Sequence, residues 1–423
     1  LILAVFSLTG CSGELRDRLF GPAWTWPRLE TSSEMTVQTT SAGPNSKPTV
    51  TQGYTRATTA ARTTTSAEDR TLDFSEPTPD FDDQITSLLL EGLDNLERSI
   101  ILDAAFTYWV VRENQVQEAI DRIYDLYTDV YLNHPRFFYL NGSFQVYYSV
   151  LRGGDSEVAG LRIEPAYWSS TDNLDDEELH AMTQAVDAAV SALADQIRAE
   201  TNRPREQLIL IHDWLIGHIA YDPTGDQGNN HAGSALLQQV TLCQGYAQSF
   251  QLIGQELGID VQIVTGTSDG IGHAWNQVIL DGIAYHVDVT HDDPTPDGGA
   301  DHPVRHVHLF RSDAVFSLTH QWDAAQFLPC PDDGAFYYRD RGLVVKDQTE
   351  LRKAIEQFLK QIDLGVDRTW QLELLYNGLD RPDKATLDTM LSTALQKAMT
   401  AKTVYYRADL EKDIVIIQVS NSR

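Results

Sequence analysis

The chain has 423 residues, enough for about two to three domains. With 42% hydrophobic residues it can bury a sizeable core. Its formal net charge of −29 argues against nucleic acid as a partner, because phosphate binding needs Lys/Arg patches and none is present. Three cysteines, Cys11, Cys243 and Cys330, are too few for a disulfide scaffold, so each needs its own explanation.

The chain opens with an apolar run that ends Leu8-Thr9-Gly10-Cys11. This has the form of a lipoprotein signal peptide remnant (1–11), with Cys11 as the lipidation site. The run is shorter than the about 20 apolar residues a membrane span needs. It lacks a basic stretch and an initiator Met, so the natural start lies upstream. Residues 12–79 then read as a disordered linker, rich in Thr and Ser as in 58–66, with too little apolar surface to offset the entropy of ordering. Together these features predict a bacterial envelope protein, lipid-anchored in the membrane and facing outward.

A helical and stranded N-terminal region is expected over 80–189. Ile85, Leu88, Leu89, Leu93 and Leu96, then Val116, Ile120, Ile123, Tyr124 and Tyr127, recur at helical spacing between Asp80 and Asn133. Phe137–Leu140, Phe144–Tyr148 and Leu161–Ile163 read as strands, with Asn141-Gly142 as a hairpin turn between the first two. Long helices are predicted over Asp175–Glu200 and Pro204–Ile219. After about Pro331 an α+β accessory module (331–423) without a chemical motif is expected: strands at Phe336–Tyr338, Leu343–Val345, Gln371–Tyr376 and Asp413–Val419, helices at Glu350–Ile362 and Lys384–Met399.

The chemistry lies in 190–330. From Cys243 onward, Tyr246, Phe250, Ile253 and Leu257 mark a helical face that stops at Gly258. Cys243 therefore starts a helix, where the dipole and free N–H groups favour a thiolate and can hold an oxyanion. Downstream, Gly272–Leu280 and Ile283–Thr290 flank Asp281-Gly282, a two-residue hairpin turn. That register pairs Gln277 with His286 and Trp275 with Asp288, and it makes His273 and Asp288 diagonal neighbours on one face. A helix-start Cys beside a His–Asp pair is the thiol-protease arrangement. Cys243 is the candidate nucleophile, His273 the proton carrier and Asp288 its orienting group. Gln244 and Trp275 are candidate substrate-binding or oxyanion positions.

Leu-Cys-Gln-Gly-Tyr-Ala (242–247), Gly-His-Ala-Trp-Asn-Gln-Val (272–278) and Tyr-His-Val-Asp-Val-Thr (285–290) resemble the core motifs of the transglutaminase-like superfamily, in the order Cys, His, Asp. The likeness runs from roughly 190 to 325 and includes His212-Asp213-Trp214. It implies an α+β, papain-like core and carries the triad onto Cys243, His273 and Asp288. Two departures stand out: His291 where many relatives carry Trp, and Ala232-Gly233-Ser234-Ala235-Leu236 ahead of the Cys. The implied activity is cysteine-dependent acyl transfer or hydrolysis on protein or peptide amides, including cell-wall peptides, through a thioester. The alternative is a catalytically silent, surface-tethered peptide-binding module.

No cofactor is implied, and no metal. His302, His306 and His308 match no ligand spacing, and Asp292, Asp293, Asp297 and Asp301 read as an acidic loop. His212 and His286 read as hydrogen-bonded structural histidines, and Cys330 as a thiol not paired with Cys243.

Overall fold

The computed structural model describes residues 50–52, 72–75, 77–151, 157–293, 303–332, 336–363, 368–398 and 404–420. The lipobox at Cys11, most of the expected linker, and Asp297, Asp301 and His302 lie outside them. Two compact units are present, one of Leu29–Ala185 with Gln227–Asn229, the other including Val186–Asp226 and Asn230–Arg423.

In the first unit a four-stranded sheet has the order β1-β3-β4-β2, from β1 Val50–Gln52, β2 Ile100–Ile101, β3 Leu140–Leu151 and β4 Glu157–Tyr167. It is accompanied by helices α1 Pro79–Asp94, α2 Asp103–Tyr108 and α3 Val116–Asn133. Of the expected apolar stripes, Ile85, Leu89 and Leu93 on α1 and Ile120, Ile123 and Tyr127 on α3 are buried, joined by Phe81, while Leu88, Leu96, Val116 and Tyr124 are half-buried at the margins. Two local expectations are corrected. Pro135–Phe137 is a 3₁₀ turn ahead of the sheet. Asn141-Gly142 makes no hairpin turn, because the chain runs through it within β3. The β3–β4 register shifts there, between Leu140 and Phe144. Gly142 has the positive φ (83°) the dipeptide predicts, but it serves a bulge. The Asn141 side chain holds that bulge, donating to Tyr167 O (3.0 Å) and accepting from Ser143 N (3.0 Å).

In the second unit the part of α4 (Asp176–Glu200) from Val186 onward and α5 Pro204–His218 lead to α6 Cys243–Glu256. Helix α6 ends as its sequence predicts: Gly258 takes φ 78°, and Ile259 N–H reaches back to Gly254 O (2.9 Å). A five-stranded sheet follows in the order β8-β7-β6-β5-β9, from β5 Val261–Ser268, β6 Ile271–Leu280, β7 Ile283–Val287, β8 Leu309–Arg311 and β9 His320–Trp322. The β6–β7 register is the predicted one, Leu280 with Ile283 through Asn276 with Val287. The turn residues Asp281 and Gly282 both have positive φ, 53° and 78°. Strand β7 is shorter than expected. It stops at Val287, and Val289–Asp292 forms the short helix α7, so the expected cross-strand pair of Trp275 with Asp288 does not form.

Both faces of this sheet are covered. Helix α6 lies on one, where Asn276 Nδ2 donates to Ala247 O (3.0 Å). On the other, Trp275 and Val264 pack with Phe316 of α8 (Asp313–Phe316), flanked by Trp322 and Phe327.

Residues beyond Pro331 lie in the same unit. Their sheet has the order β10-β11-β13-β12, from β10 Val344–Val345, β11 Thr369–Tyr376, β12 Tyr405–Glu411 and β13 Ile414–Ser420. The helices are α9 Phe336–Asp340, α10 Gln348–Gln361 and α11 Lys384–Ala398. Phe336-Tyr337-Tyr338, expected as a strand, thus begins a helix. A three-residue aromatic run has no periodicity to separate the two. The fold is α+β throughout. Among the described residues no helix is long and apolar enough to cross a membrane.

Candidate active site

Leu242 is extended (φ −110°, ψ −171°), and α6 starts at Cys243. The side chain of Asn230 caps this start, its Oδ1 accepting from Gln244 N–H (2.8 Å) and Gly245 N–H (3.3 Å). The Gln244 N–H therefore already has a buried acceptor. Gly245 permits the tight approach. A Cβ there would overlap Thr241 Oγ1 and lie 2.9 Å from His231 O. Gly245→Ala is expected to cost about 1–3 kcal/mol in urea denaturation by overpacking. It should also slow Cys243 labelling by displacing the helix start; unchanged stability would mean that the helix moves freely.

The Cys243 thiol is unpaired and only partly buried. It hydrogen-bonds to the His273 ring and receives the Ala274 backbone N–H. On the far side of the ring, His273 Nε2–H donates to Asp288 Oδ2 (2.8 Å), which leaves Nδ1 for the thiol. Asp288 is the N-cap of α7 and fully buried, and its Oδ1 accepts from His291 N–H (3.1 Å). Its Oδ2 also accepts from His320 Nε2–H (3.0 Å), and His291 Nδ1 lies 3.5 Å away. Sequence reading did not single out His320, 32 residues from Asp288, because no local motif marks it.

The electrostatics follow from this packing. Burial alone would raise the Asp288 carboxyl, but the surrounding imidazoles of His291, His273 and His320 hold it well below the carboxylate range. Burial would lower the His273 imidazole, yet Asp288 and Cys243 lift it to about 10. Burial would raise the Cys243 thiol, yet the His273 hydrogen bond and charge, with the Ala274 N–H, bring it below its ordinary value. The arrangement favours a thiolate–imidazolium pair.

Trp275 is 1% exposed, so it lines no open substrate surface and the substrate-binding expectation is corrected. It stacks behind His273 (5.9 Å, 20°) and shields that ring from water. Its Nε1–H donates to His286 Nδ1 (3.0 Å), and His286 Nε2–H donates to Asp313 Oδ1 (2.9 Å). His286 is thus a structural histidine, and burial lowers it to about 4. Cys330 is buried, receives Gln277 Nε2–H (3.2 Å) and is unpaired, its thiol raised by burial to about 12. Asp292 and Asp293 do not belong to an exposed acidic loop, since both are buried and hydrogen-bonded, Asp293 to Tyr246 OH and Asp292 to His308 and His212.

Ligand-type atoms of His273, Asp288, His291 and His320 all lie within 4.8 Å of one another. The short contacts run from imidazole N–H to Asp288, as befits a carboxylate that orients its neighbours.

Residues 191–289 match the model of the transglutaminase-like superfamily. Kyphoscoliosis peptidase of Homo sapiens is 27% identical over 129 residues, covering 27% of this chain and 20% of that protein. The Mus musculus protein of that name is 29% identical over 121 residues, covering 25% and 18%. The chain thus spans about a fifth of the length of the curated relatives it matches. Among solved structures, a TGase is 15% identical with a TM-score of 0.25, covering 35% of this chain and 45% of that one, a likeness that carries no argument. The match to the transglutaminase-like family model encloses Cys243, His273 and Asp288.

Proposed function

We propose that the chain is a cysteine-dependent acyl transferase or hydrolase acting on protein or peptide amides. The observation that carries this reading is the His273 ring, held between Asp288 and the Cys243 thiol. The Cys243 thiolate attacks the amide carbonyl carbon, forming a C–S bond. His273 gives its proton to the departing nitrogen as the C–N bond breaks, and ammonia or an amine leaves a thioester. His273 then takes a proton from water or an acceptor amine, whose attack breaks the C–S bond and restores the thiol pair. Water gives hydrolysis and an amine gives transamidation, and the same three residues serve both. A lipid anchor at Cys11 would place this chemistry at the envelope, with cell-wall peptides among its substrates.

The test is the pH dependence of Cys243 alkylation by iodoacetamide, in wild type and His273→Ala. Wild type should label fast at pH 6, where a free thiol with a pKa of about 8.5 is under 1% thiolate. The variant should label about a hundredfold more slowly there. Slow labelling that the mutation does not change would reveal an inert thiol, and the tethered binding-module reading would replace this one.

A further inference from the structure

A second cluster lies outside the thiol site. Helix α5 presents His212 and Asp213, and the segment before β8 presents His306. His212 Nδ1 and His306 Nε2 both lie 3.0 Å from one atom, Asp213 Oδ1. We propose that His212, Asp213 and His306 form a binding site for a divalent transition-metal ion of the zinc class.

The donor set comes first. Two imidazole nitrogens and one carboxylate oxygen converge within 4.8 Å. Ligand atoms 3.0 Å apart subtend roughly 90° at an ion about 2.1 Å from each, so an ion fits with small side-chain shifts. Nitrogen donors select zinc and its neighbours over calcium or magnesium, which take oxygen.

The surroundings are the second, independent observation. A metal-bound histidine characteristically donates its other N–H to a carboxylate. Here both do. His212 Nε2–H donates to Asp292 Oδ2 (3.2 Å), and His306 Nδ1–H donates to Glu373 Oε2 (3.0 Å). Those outer carboxylates are fixed in turn. Asp292 accepts from His308 N–H (3.0 Å) and Nδ1–H (2.9 Å), and Glu373 from Gln371 Nε2–H (3.2 Å) and Tyr338 OH (3.4 Å). The His306 ring is held flat against Tyr337, 3.7 Å between centroids.

Access and charge fit as well. His212 and His306 are buried, while the Asp213 side chain is 34% exposed and gives an ion a route in and water a place to complete the coordination. Each imidazole faces carboxylates at both nitrogens, and an ion would take the place of the protons between the rings and Asp213. The ion would tie α5 to the segment that enters β8 and, through Glu373, to β11. None of this requires the chemistry proposed at Cys243.

The test uses the full chain with Cys243 blocked by iodoacetamide and resident metal stripped by a chelator. Zn²⁺ is titrated calorimetrically, and Co²⁺ serves as a spectroscopic probe. The expected result is one ion per chain, with Co²⁺ d–d bands and no sulfur charge-transfer band. Asp213→Asn, at a partly exposed position, should weaken binding at least tenfold, and Glu373→Gln about 10–100-fold through the outer shell. No saturable uptake by the wild-type chain would overturn the proposal and leave an ion-pair chain. So would binding of unchanged affinity in Asp213→Asn, which would place the ion elsewhere.

Discussion

Asp288→Asn is expected to lower turnover of a peptide amide by about 10⁴-fold while the chain still folds. The reason lies in how fully the carboxylate is used. Oδ2 accepts from His273 (2.8 Å) and His320 (3.0 Å), and Oδ1 accepts from His291 N–H (3.1 Å). An amide has one acceptor atom where this site needs two. If its oxygen faces the imidazoles, its NH₂ meets the His291 N–H. If it turns round, its NH₂ faces His273 Nε2 and forces the proton onto Nδ1, the nitrogen that must take the thiol proton. Either way the negative charge that favours the imidazolium is lost. Ammonia release from a peptide amide measures the effect on turnover, and Cys243 alkylation at pH 6 should fall in parallel. A loss under tenfold would mean that Asp288 does not orient the imidazole for catalysis.

The same pair predicts a pH signature in stability. His273 is raised from its ordinary 6.5 to about 10 in the folded chain, so its contribution is full below pH 6.5 and is lost as pH rises through 10. In Asp288→Asn this alkaline loss should flatten, a difference that urea midpoints between pH 7 and pH 10 would show.

The candidate site was legible in sequence to the extent that it is local. Asp281-Gly282 fixes a two-residue turn, the turn fixes the register, and the register brings His273 toward Asp288. The start of α6 was legible because Gly258 marks its far end and an apolar stripe marks its length. What stayed hidden is held by long-range contacts. Asn230 caps α6 from 14 residues upstream, and His320 reaches Asp288 from β9. No periodicity reports such partners. Asn141-Gly142 was misread for a different reason: the dipeptide supplies positive φ, and a bulge uses that as readily as a turn does. The segment after Pro331 has no motif, yet Glu373 and Asp413 accept hydrogen bonds from buried side chains of 303–311, a role visible only in three dimensions.

Arg311→Met is expected to destabilise the second unit by about 3–5 kcal/mol. Arg311 is 0% exposed at the end of β8. Its guanidinium donates to Val307 O (2.9 Å) and Asp413 Oδ1 (2.5 Å), Asp413 lying just ahead of β13. Methionine fills much of the volume but leaves the Val307 carbonyl with one donor fewer and Asp413 without its cation. Asp413→Leu should be at least as damaging, because it takes a carboxylate from a fully buried guanidinium. The double variant Arg311→Met with Asp413→Leu should recover part of the loss, since no unpaired charge remains. Exposed Arg198 supplies the contrast: its replacement by Ala should change stability by under about 1 kcal/mol. Urea denaturation of the four variants decides the matter, and an Arg311→Met effect below about 1 kcal/mol would contradict this account. Truncation after Cys330 removes Asp413 and Glu373 together, taking acceptors from both Arg311 and His306. Residues 190–330 alone should then fail to yield a cooperatively folding product, and the segment after Pro331 would be a structural part of the catalytic unit, with nothing accessory about it.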